Sequence, residues 1–275
     1  MIKKVHYCWL GSPVPENVKV QVSQWKELCP DFDFVEWNEE NITKEEYSDI
    51  EFWNRVYREK RWAFASDIVQ FSKIYEEGGF YLDCDVVMCK PLTDIPAPSN
   101  HLVMGYMYDG VLSGGFLYAP PRHPLVKKIL EYYRDINDGF YAVNNTIITD
   151  CINNNVPDIL MNGSYYSSDE YKLTVFPKEY FCQPSFNKKK SFLLDQFAGS
   201  WQDGKSDQFA SNRGRYGFWQ ILRRKLSCLK SILKNEFRDV YLNALIGKKV
   251  KRTEHWRKCY GMTGGAVKRV NDADS

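Results

Sequence analysis

The chain has 275 residues, of which 44% are apolar and 15% aromatic, and its formal net charge is +2 at pH 7. A chain of this length and composition buries a sizeable core, which excludes wholesale disorder, and the lack of any run of 18 apolar residues excludes a membrane-spanning helix. The eight cysteines are scattered without a CxxC pair or zinc-ligand spacing, which predicts reduced and mostly buried thiols. Residues 1–16 lack the long apolar stretch of a cleaved signal peptide, so we expect a cytoplasmic protein.

Strand-like and helix-like patterns alternate along the first half of the chain. In chain order, the predicted elements are a strand at 2–9, a helix at 17–28, a strand at 32–37, a charged helical stretch at 44–60, a helix at 62–77 that ends at Gly78-Gly79, a strand FYLDCDVVM, two strands within 102–119 around Gly114-Gly115, and a helix at 124–133. This alternation favours an α/β sandwich with a largely parallel sheet.

Charge is distributed unevenly along the chain. Residues 1–212 carry 21 basic and 30 acidic side chains, a net charge of −9, whereas residues 213–258 carry 14 basic and 3 acidic side chains, a net charge of +11. Small and polar residues accumulate at 202–217. These shifts predict a main domain at 1–212 and a basic helical extension at 213–275.

The extension contains a basic amphipathic pattern. Its apolar positions recur at steps of three and four, and the basic residues fall largely off this stripe, which consists of Phe218, Leu222, Leu226, Leu229 and Leu233. Such a helix either lies in the interface of an anionic membrane or docks on the domain with its basic face in water. A nucleic acid partner is not expected, because the rest of the chain is acidic and repels phosphate.

The strongest signal for chemistry is Asp83-Cys84-Asp85 at the end of an apolar strand. In an open α/β sheet, ligands collect beyond the carboxyl ends of the strands. Mg²⁺ and Mn²⁺ prefer oxygen ligands and commonly take one or two carboxylates together with substrate phosphates. The pair is therefore predicted to divide its work between a divalent cation and a ligand hydroxyl, although a solvated acidic turn gives the same pattern.

Three further residues are candidates for ligand contacts. Asp67 and Gln70 lie one turn apart on the helix that leads to the DxD strand, so they share a face, and the alternative is a solvated polar patch. Trp9 ends the first strand, where an indole either packs in the core or stacks on a nucleotide base.

The segment WAFASDIVQFSKIYEEGGFYLDCDVVMCKPL at 62–92 resembles the signature of the DxD-containing glycosyltransferases of family 32, which are related to capsular polysaccharide, mannosyl and galactosyl transferases. KKVHYCWLG, PDFDFVEWNEEN, VFPKEYFCQP and FAGSW are similar to other landmarks of that family. The resemblance covers residues 1–201 in the family's order and is most specific at 62–92.

This resemblance implies a GT-A fold, a Rossmann-like sandwich, with 1–212 as the catalytic domain. It also implies a nucleotide-sugar donor and Mn²⁺ or Mg²⁺. In the implied site, Trp9 stacks on the base, Asp67 and Asp83 hold donor hydroxyls, Asp85 with Asp83 binds the metal that bridges the diphosphate, and Ser200 and Trp201 close over the phosphates. Members of the family generally retain anomeric configuration. No residue of this chain stands out as the catalytic nucleophile or base.

Two positions depart from the family pattern. Gln70 stands where the family usually has arginine, so a permanent cation near the donor is replaced by a neutral amide. Asp195 and Gln196 stand where it usually has histidine. We expect Asp195 to supply an alternative oxygen ligand to the metal, since carboxylate suits Mn²⁺ or Mg²⁺.

The resulting expectation is a glycosyltransferase that is cytoplasmic and peripheral on the inner membrane face. It moves a hexose from UDP-galactose or UDP-glucose, with GDP-mannose as the other donor considered, to a lipid-linked oligosaccharide or polysaccharide in surface or capsular polysaccharide synthesis. One alternative is a non-catalytic nucleotide-sugar-binding protein, because of Gln70 and the missing histidine. The other is a phosphatase similar to the haloacid dehalogenases, because their nucleophile also lies in a DxD-V motif.

Overall fold

The computed structural model describes residues 1–136, 140–141, 143–197, 216–252 and 268–269. The helices in these ranges are α1 Glu16–Leu28, α2 Glu51–Arg58, α3 Trp62–Glu77, α4 Pro124–Arg134, α5 Asn144–Asn155, α6 Lys178–Phe181, α7 Phe218–Lys234 and α8 Arg238–Leu245. The strands are β1 Lys4–Cys8, β2 Asp33–Trp37, β3 Gly79–Leu82, β4 Val86–Met88, β5 Leu102–Tyr108, β6 Val111–Ala119, β7 Phe140–Tyr141, β8 Tyr166–Ser168, β9 Leu173–Phe176, β10 Leu193–Asp195 and β11 Lys268–Arg269.

A seven-stranded sheet with the order β2-β1-β3-β6-β5-β9-β8 forms the centre of the molecule. β1 pairs in parallel with β2 and β3, and β5 pairs in parallel with β9, whereas β6 and β8 run antiparallel to their neighbours. Five of the seven strands therefore point the same way. The α/β sandwich expected of a GT-A domain is thereby confirmed.

Apolar side chains cover both faces of the sheet. Because successive side chains of a strand point to opposite faces, Phe80 and Leu82 pack on the side of α1, and Tyr81 between them packs on the side of α3. All four residues of β3 are buried. Burial on both faces explains why this strand is continuously apolar rather than alternating.

Most predicted elements are confirmed, with two corrections. The stretch 44–60 is not one helix, because Ile50 has an extended backbone that separates a 3₁₀ turn at Lys44–Tyr47 from α2. Gly114-Gly115 does not separate the two strands within 102–119 but lies inside β6. The turn between β5 and β6 uses Gly110 instead, whose φ of +85° is a left-handed conformation that glycine adopts without strain.

The predicted helix in the extension forms as α7, but it docks through other residues than its leucine stripe. Ile221, Cys228 and Ile232 are buried, and Ile232 joins the core on the α3 side. The large apolar residues of α7 that remain exposed, which we call the outward stripe, are Phe218, Trp219, Leu226, Leu229 and Leu233. The boundary predicted near 202–217 lies largely outside the described residues. Within the described ranges, none of the helices has the length and apolar character that crossing a membrane requires.

A buried ionic network ties the described end of the extension to α5. Arg252, whose side chain is 6% exposed, donates to Asp150 Oδ1 at 2.9 Å and to Glu236 Oε2 at 2.7 Å. Its guanidinium also lies 3.9 Å from the centre of the Phe237 ring. Since Asp150 is fully buried, the network holds one end of the extension against the helix that lines the cavity described below.

Replacing Arg252 with leucine should destabilise the protein, because Asp150 and Glu236 then remain as buried charges without their cation. We expect a loss of about 3–5 kcal/mol, measured by urea unfolding. Arg238→Leu serves as the control, because Arg238 forms an exposed pair with Asp239 that contributes at most about 1 kcal/mol. Equal stability of the two variants would contradict a structural role for the Arg252 network.

Candidate active site

A cavity of about 360 Å³ opens at the carboxyl ends of β1 and β3. These strands are parallel neighbours, with Val5 opposite Phe80 and His6 opposite Tyr81, so the residues that follow them meet at the same edge of the sheet. Trp9 follows β1 and Asp83 follows β3, and both line the cavity. The volume lies within the range of ligand-binding pockets, about 300–1,000 Å³.

Asp83-Cys84-Asp85 forms the turn between β3 and β4. The backbone N–H of Val86 donates to the Asp83 carbonyl at 3.0 Å, and the Asp83 N–H donates to the Gly115 carbonyl at 3.0 Å. Cys84 is buried, with its Sγ 3.5 Å from the Cys8 carbonyl. Asp83 and Asp85 are half-buried and line the cavity. The bend at the end of the strand thus brings both acidic side chains to the cavity, as the motif predicted.

Asp195 joins this pair from a distant part of the sequence. It ends β10, where it lies opposite Val86 of β4, and the Gln196 N–H donates to the Asp85 carbonyl at 3.3 Å. Asp195 Oδ1 accepts from the Phe197 N–H at 2.6 Å, and Oδ2 lies 3.7 Å from Cys182 Sγ. The short β4–β10 ladder therefore places a third carboxylate beside the DxD turn.

The carboxyl groups that line the cavity repel one another. The pKa of Asp83 is raised well above its ordinary value, first by loss of contact with water and then by the negative charges of Asp85, Asp195 and Asp67. Burial, followed by the charge of Asp85, raises the pKa of Asp195 to about 8. Burial also raises the pKa of Asp67, against the opposing effect of a hydrogen bond from Asn144. A divalent cation among these groups would relieve the repulsion.

The carboxylate oxygens at the cavity are ligands that suit a hard cation. A Cβ placed at Gly115 would lie 3.2 Å from Asp83 Oδ2 and 3.5 Å from Asp195 Oδ2, so both oxygens face the space beside this glycine. Among the described residues, no group of three His, Cys, Asp or Glu side chains is close enough together to hold an ion by itself. The arrangement therefore suits a Mg²⁺ or Mn²⁺ ion that carboxylates of this cluster share with an anionic ligand.

The other predicted site residues occupy different depths. Trp9 and Asp67 line the cavity, and the Trp9 indole Nε1 donates only a long bond of 3.3 Å to Ser12. Gln70 is 1% exposed and is not among the lining residues. It therefore lies behind the cavity wall, whereas the sequence pattern predicted a contact with the ligand. Its amide donates to the Gly114 carbonyl at 2.7 Å and accepts from Asn144 at 3.1 Å. Ser200 and Trp201 lie outside the described residues.

Two asparagines at the start of α5 belong to the site and were not predicted. Asn144 Nδ2 donates to Asp67 Oδ1 at 2.7 Å, which links α5 to α3. Asn145 Oδ1 accepts from the Gly114 N–H at 2.8 Å. Gln70 and Asn145 therefore bind the carbonyl and the N–H of the same glycine of β6. Asn144 and Asn145 are the first two residues of α5, and their only sequence signal is a pair of amides at a helix start.

Trp62 is a second aromatic residue of the cavity that the sequence pattern did not single out. Its indole lies directly against Gly11, in the loop after β1, and any side chain at that glycine would overlap the ring. Phe197, which follows Asp195, also lines the cavity. Aromatic residues thus lie on two sides of the carboxylate cluster.

Comparison with known proteins identifies the segment that contains the DxD turn. Residues 15–102 match the family model of the glycosyltransferase sugar-binding region containing DXD motif. This segment therefore contains such a region, with Asp83-Cys84-Asp85 as its DXD motif. The enzyme class predicted from the sequence, a glycosyltransferase, is the class that this family model describes.

A curated relative is "Subversion of eukaryotic traffic protein A" of Legionella pneumophila, 26% identical over 127 residues. The match covers 37% of this chain and 20% of the relative, so the chain spans about a fifth of its length. The Legionella protein is therefore similar in one region only.

Similar solved structures include the PaToxG glycosyltransferase, 18% identical with a TM-score of 0.47, over 57% of this chain and 70% of that one. Another is the apo form of the glycosyltransferase GlyE of Streptococcus pneumoniae TIGR4, 12% identical with a TM-score of 0.43, over 82% and 63% of the two chains. These likenesses are distant, and the assignment of the DXD region rests on the family model.

Gly115→Ala should weaken metal binding, because its methyl group would lie closer to Asp83 Oδ2 than an ordinary contact allows. With UDP present, we expect the Mn²⁺ concentration for half-maximal thermal stabilisation to rise at least about tenfold, which corresponds to about 1.4 kcal/mol. Gly217→Ala is the matched control, because a Cβ there has no neighbour within 3.7 Å. An unchanged Mn²⁺ titration of Gly115→Ala would show that the space beside this glycine is not the cation site.

Proposed function

We propose that this protein is a metal-dependent, retaining glycosyltransferase that moves a hexose from a nucleotide sugar to a glycan acceptor. The observation that carries the proposal is the convergence of Asp83, Asp85 and Asp195 at the cavity, within and beside a segment that matches the DXD sugar-binding region. UDP-galactose or UDP-glucose is the proposed donor. DXD-type glycosyltransferases generally use a divalent metal, and Mn²⁺ or Mg²⁺ is the ion proposed here.

The chain's own residues orient the donor from two sides. Trp9 directly follows β1, and its indole is proposed to stack on the nucleotide base. Asp67 is fixed by its 2.7 Å bond from Asn144, so its carboxylate is held in one orientation for donor hydroxyls. Asp83 holds hydroxyls from the opposite wall. Ser200 and Trp201 are proposed to close over the phosphates.

Asp85, Asp83 and Asp195 are the residues that would hold the cation. When bound, the cation neutralises the charge that develops on the departing nucleoside diphosphate. The carboxylates also repel a diphosphate directly, and among the described residues that line the cavity there is no Lys or Arg to offset them. Binding of the diphosphate to this acidic cavity is therefore proposed to depend on the cation.

Gln70 acts behind the cavity wall in this proposal. As a neutral amide it satisfies the Gly114 carbonyl and the Asn144 side chain together, which a guanidinium cannot do because it only donates. Gln70 thus positions Asn144 and, through it, Asp67. The departure from the family's arginine is compatible with an intact site, which favours an enzyme over a non-catalytic binding protein.

The phosphatase alternative is not favoured. An aspartyl-nucleophile phosphatase of the haloacid dehalogenase type requires a lysine beside its nucleophilic aspartate. The described residues that line the cavity include no lysine. The neighbours of Asp83 are instead other carboxylates, which would oppose attack on an anionic phosphate.

The proposed acceptor is a lipid-linked oligosaccharide or growing polysaccharide at the inner face of an anionic membrane, in surface or capsular polysaccharide synthesis by a member of family 32. The support for this is the net charge of +11 on residues 213–258, since basic segments are attracted to anionic leaflets. The protein is proposed to be cytoplasmic and peripheral on that membrane.

A panel of nucleotide sugars tests the activity. We expect one of UDP-glucose, UDP-galactose or GDP-mannose to raise the melting temperature in the presence of Mn²⁺, because a ligand that binds only the folded state stabilises it. The same donor should release its nucleoside diphosphate, faster when an acceptor is added. Stabilisation without release would support the non-catalytic alternative, and phosphate release from monoesters would support the phosphatase.

Asp195→Ala should raise the Mn²⁺ concentration needed for half-maximal donor cleavage, because one oxygen ligand is lost. Asp195→Asn keeps the size of the side chain and the acceptor for the Phe197 N–H, so it separates loss of the ligand from loss of local structure. Asp94→Ala is the control, an exposed carboxylate outside the cavity. A wild-type Mn²⁺ titration of both Asp195 variants would exclude Asp195 as a ligand.

A further inference from the structure

One edge of α7 is attached to the domain next to the active site. Ile221, Cys228 and Ile232 are buried on this edge. Arg224 donates to the backbone carbonyl of Asp195 at 3.0 Å, and its guanidinium also contacts the ring of Phe197. The helix therefore has a fixed orientation on the domain, and its docked edge touches the strand that supplies the third carboxylate.

The fixed orientation leaves an apolar strip of α7 in water. Among the residues of the outward stripe, Trp219 is 77%, Leu226 61% and Leu229 52% exposed. At 3.6 residues per turn, the stripe occupies roughly 60–160° around the helix axis measured from Ile221. Single exposed leucines are ordinary, but a contiguous apolar strip along a helix of 17 residues marks an interaction surface.

Positive charge borders the stripe. Arg223, Lys230 and Lys234 are exposed and lie at roughly 180–220° in the same frame, next to the stripe and away from the docked edge. α7 contains no acidic residue. The acidic side chains of residues 216–252, Glu236 and Asp239, are paired with Arg252 and Arg238, so they do not offset this charge.

An apolar strip with a basic border complements an anionic bilayer. The strip can enter the boundary between headgroups and acyl chains, while the basic side chains reach the lipid phosphates. Nucleic acid offers no apolar surface for the leucines. An apolar groove of a protein would accept the leucines, but the one-sided basic border gains most from an extended plane of negative charge.

We propose that α7 seats the protein on an anionic lipid bilayer through the outward stripe, with Arg223, Lys230 and Lys234 contacting the lipid headgroups. The apolar residues Leu242, Leu245 and Ile246 at the end of α8 are also exposed and extend the apolar surface of this helical pair. Because Arg224 on the opposite side of α7 contacts Asp195 and Phe197, the cavity would lie about one helix diameter from the bilayer, on the far side of α7. This last consequence rests on the proposed function, since it places the cavity near a lipid-linked acceptor.

The test is co-sedimentation of the full chain with vesicles of phosphatidylcholine containing 30% phosphatidylglycerol, compared with vesicles of pure phosphatidylcholine. We expect binding to the anionic vesicles that weakens as salt is added. Leu226→Gln/Leu229→Gln should lower the affinity at least about tenfold, because apolar burial is lost. Arg223→Gln/Lys230→Gln should lower it by a comparable factor, because two headgroup contacts are lost.

The matched controls lie on α1, where Val20, Lys19 and Lys26 are exposed. Val20→Gln and Lys19→Gln/Lys26→Gln should bind the anionic vesicles as the wild type does. The proposal is overturned if the wild type does not bind these vesicles, or if the α7 variants bind as well as the controls. It is also overturned if analytical ultracentrifugation shows a dimer that Leu226→Gln/Leu229→Gln converts to a monomer.

Two further variants test the membrane-binding surface and the active site separately. Nucleoside diphosphate release with a soluble acceptor and no vesicles should be unchanged in Leu226→Gln/Leu229→Gln, because these side chains contact nothing in the cavity. Conversely, Asp85→Asn should bind anionic vesicles normally. Absence of donor cleavage by the wild type, together with intact vesicle binding, would reject the proposed function and leave the membrane surface standing.

Discussion

Repulsion among carboxylates at the edge of the sheet is the constraint on which the site depends. Asp67, Asp83, Asp85 and Asp195 line one cavity, and their charges and burial raise the pKa values of Asp83 and Asp195. The fold tolerates this arrangement because the cluster is open to a ligand on one side. In the proposed function, a divalent cation shared with a diphosphate would offset the charge of the cluster and of the substrate together.

The side chains that support the carboxylate cluster are neutral amides, so they do not cancel the negative charge of the carboxylates. Gln70, Asn144 and Asn145 form an amide network that holds Gly114 and Asp67, and none of these side chains carries a positive charge. Gly115 leaves room between Asp83 and Asp195. Two arginines support the site from outside the cavity: Arg224 donates to the backbone carbonyl of Asp195, and Arg252 donates to the Asp150 carboxylate of α5.

α7 packs against β5 of the central sheet and against α8. The sequence periodicity predicted an amphipathic helix and left open whether it docks on the domain or lies in a membrane. In the structure it docks, but through Ile221, Cys228 and Ile232 rather than the predicted leucines. Periodicity could not decide this, because Ile221 and Ile232 lie next to the leucines around the helix and the choice depends on the surface of β5 and α8 that α7 meets.

Local patterns in the sequence determined the elements and the chemistry of the DxD turn, because strand alternation, helix periodicity and the glycine stop at 78–79 act over a few neighbouring residues. They also pointed to Trp9, which directly follows β1, and to Asp67 within α3, and both line the cavity. Only the tertiary structure decided that Asp195 reaches the DxD turn across the β4–β10 ladder, that Asn144 holds Asp67, and that Gln70 lies behind the cavity wall. Those contacts join residues that are 44 to 109 positions apart, and such pairings arise from the packing of α3, α5 and β6 and from the β4–β10 ladder rather than from any short-range pattern.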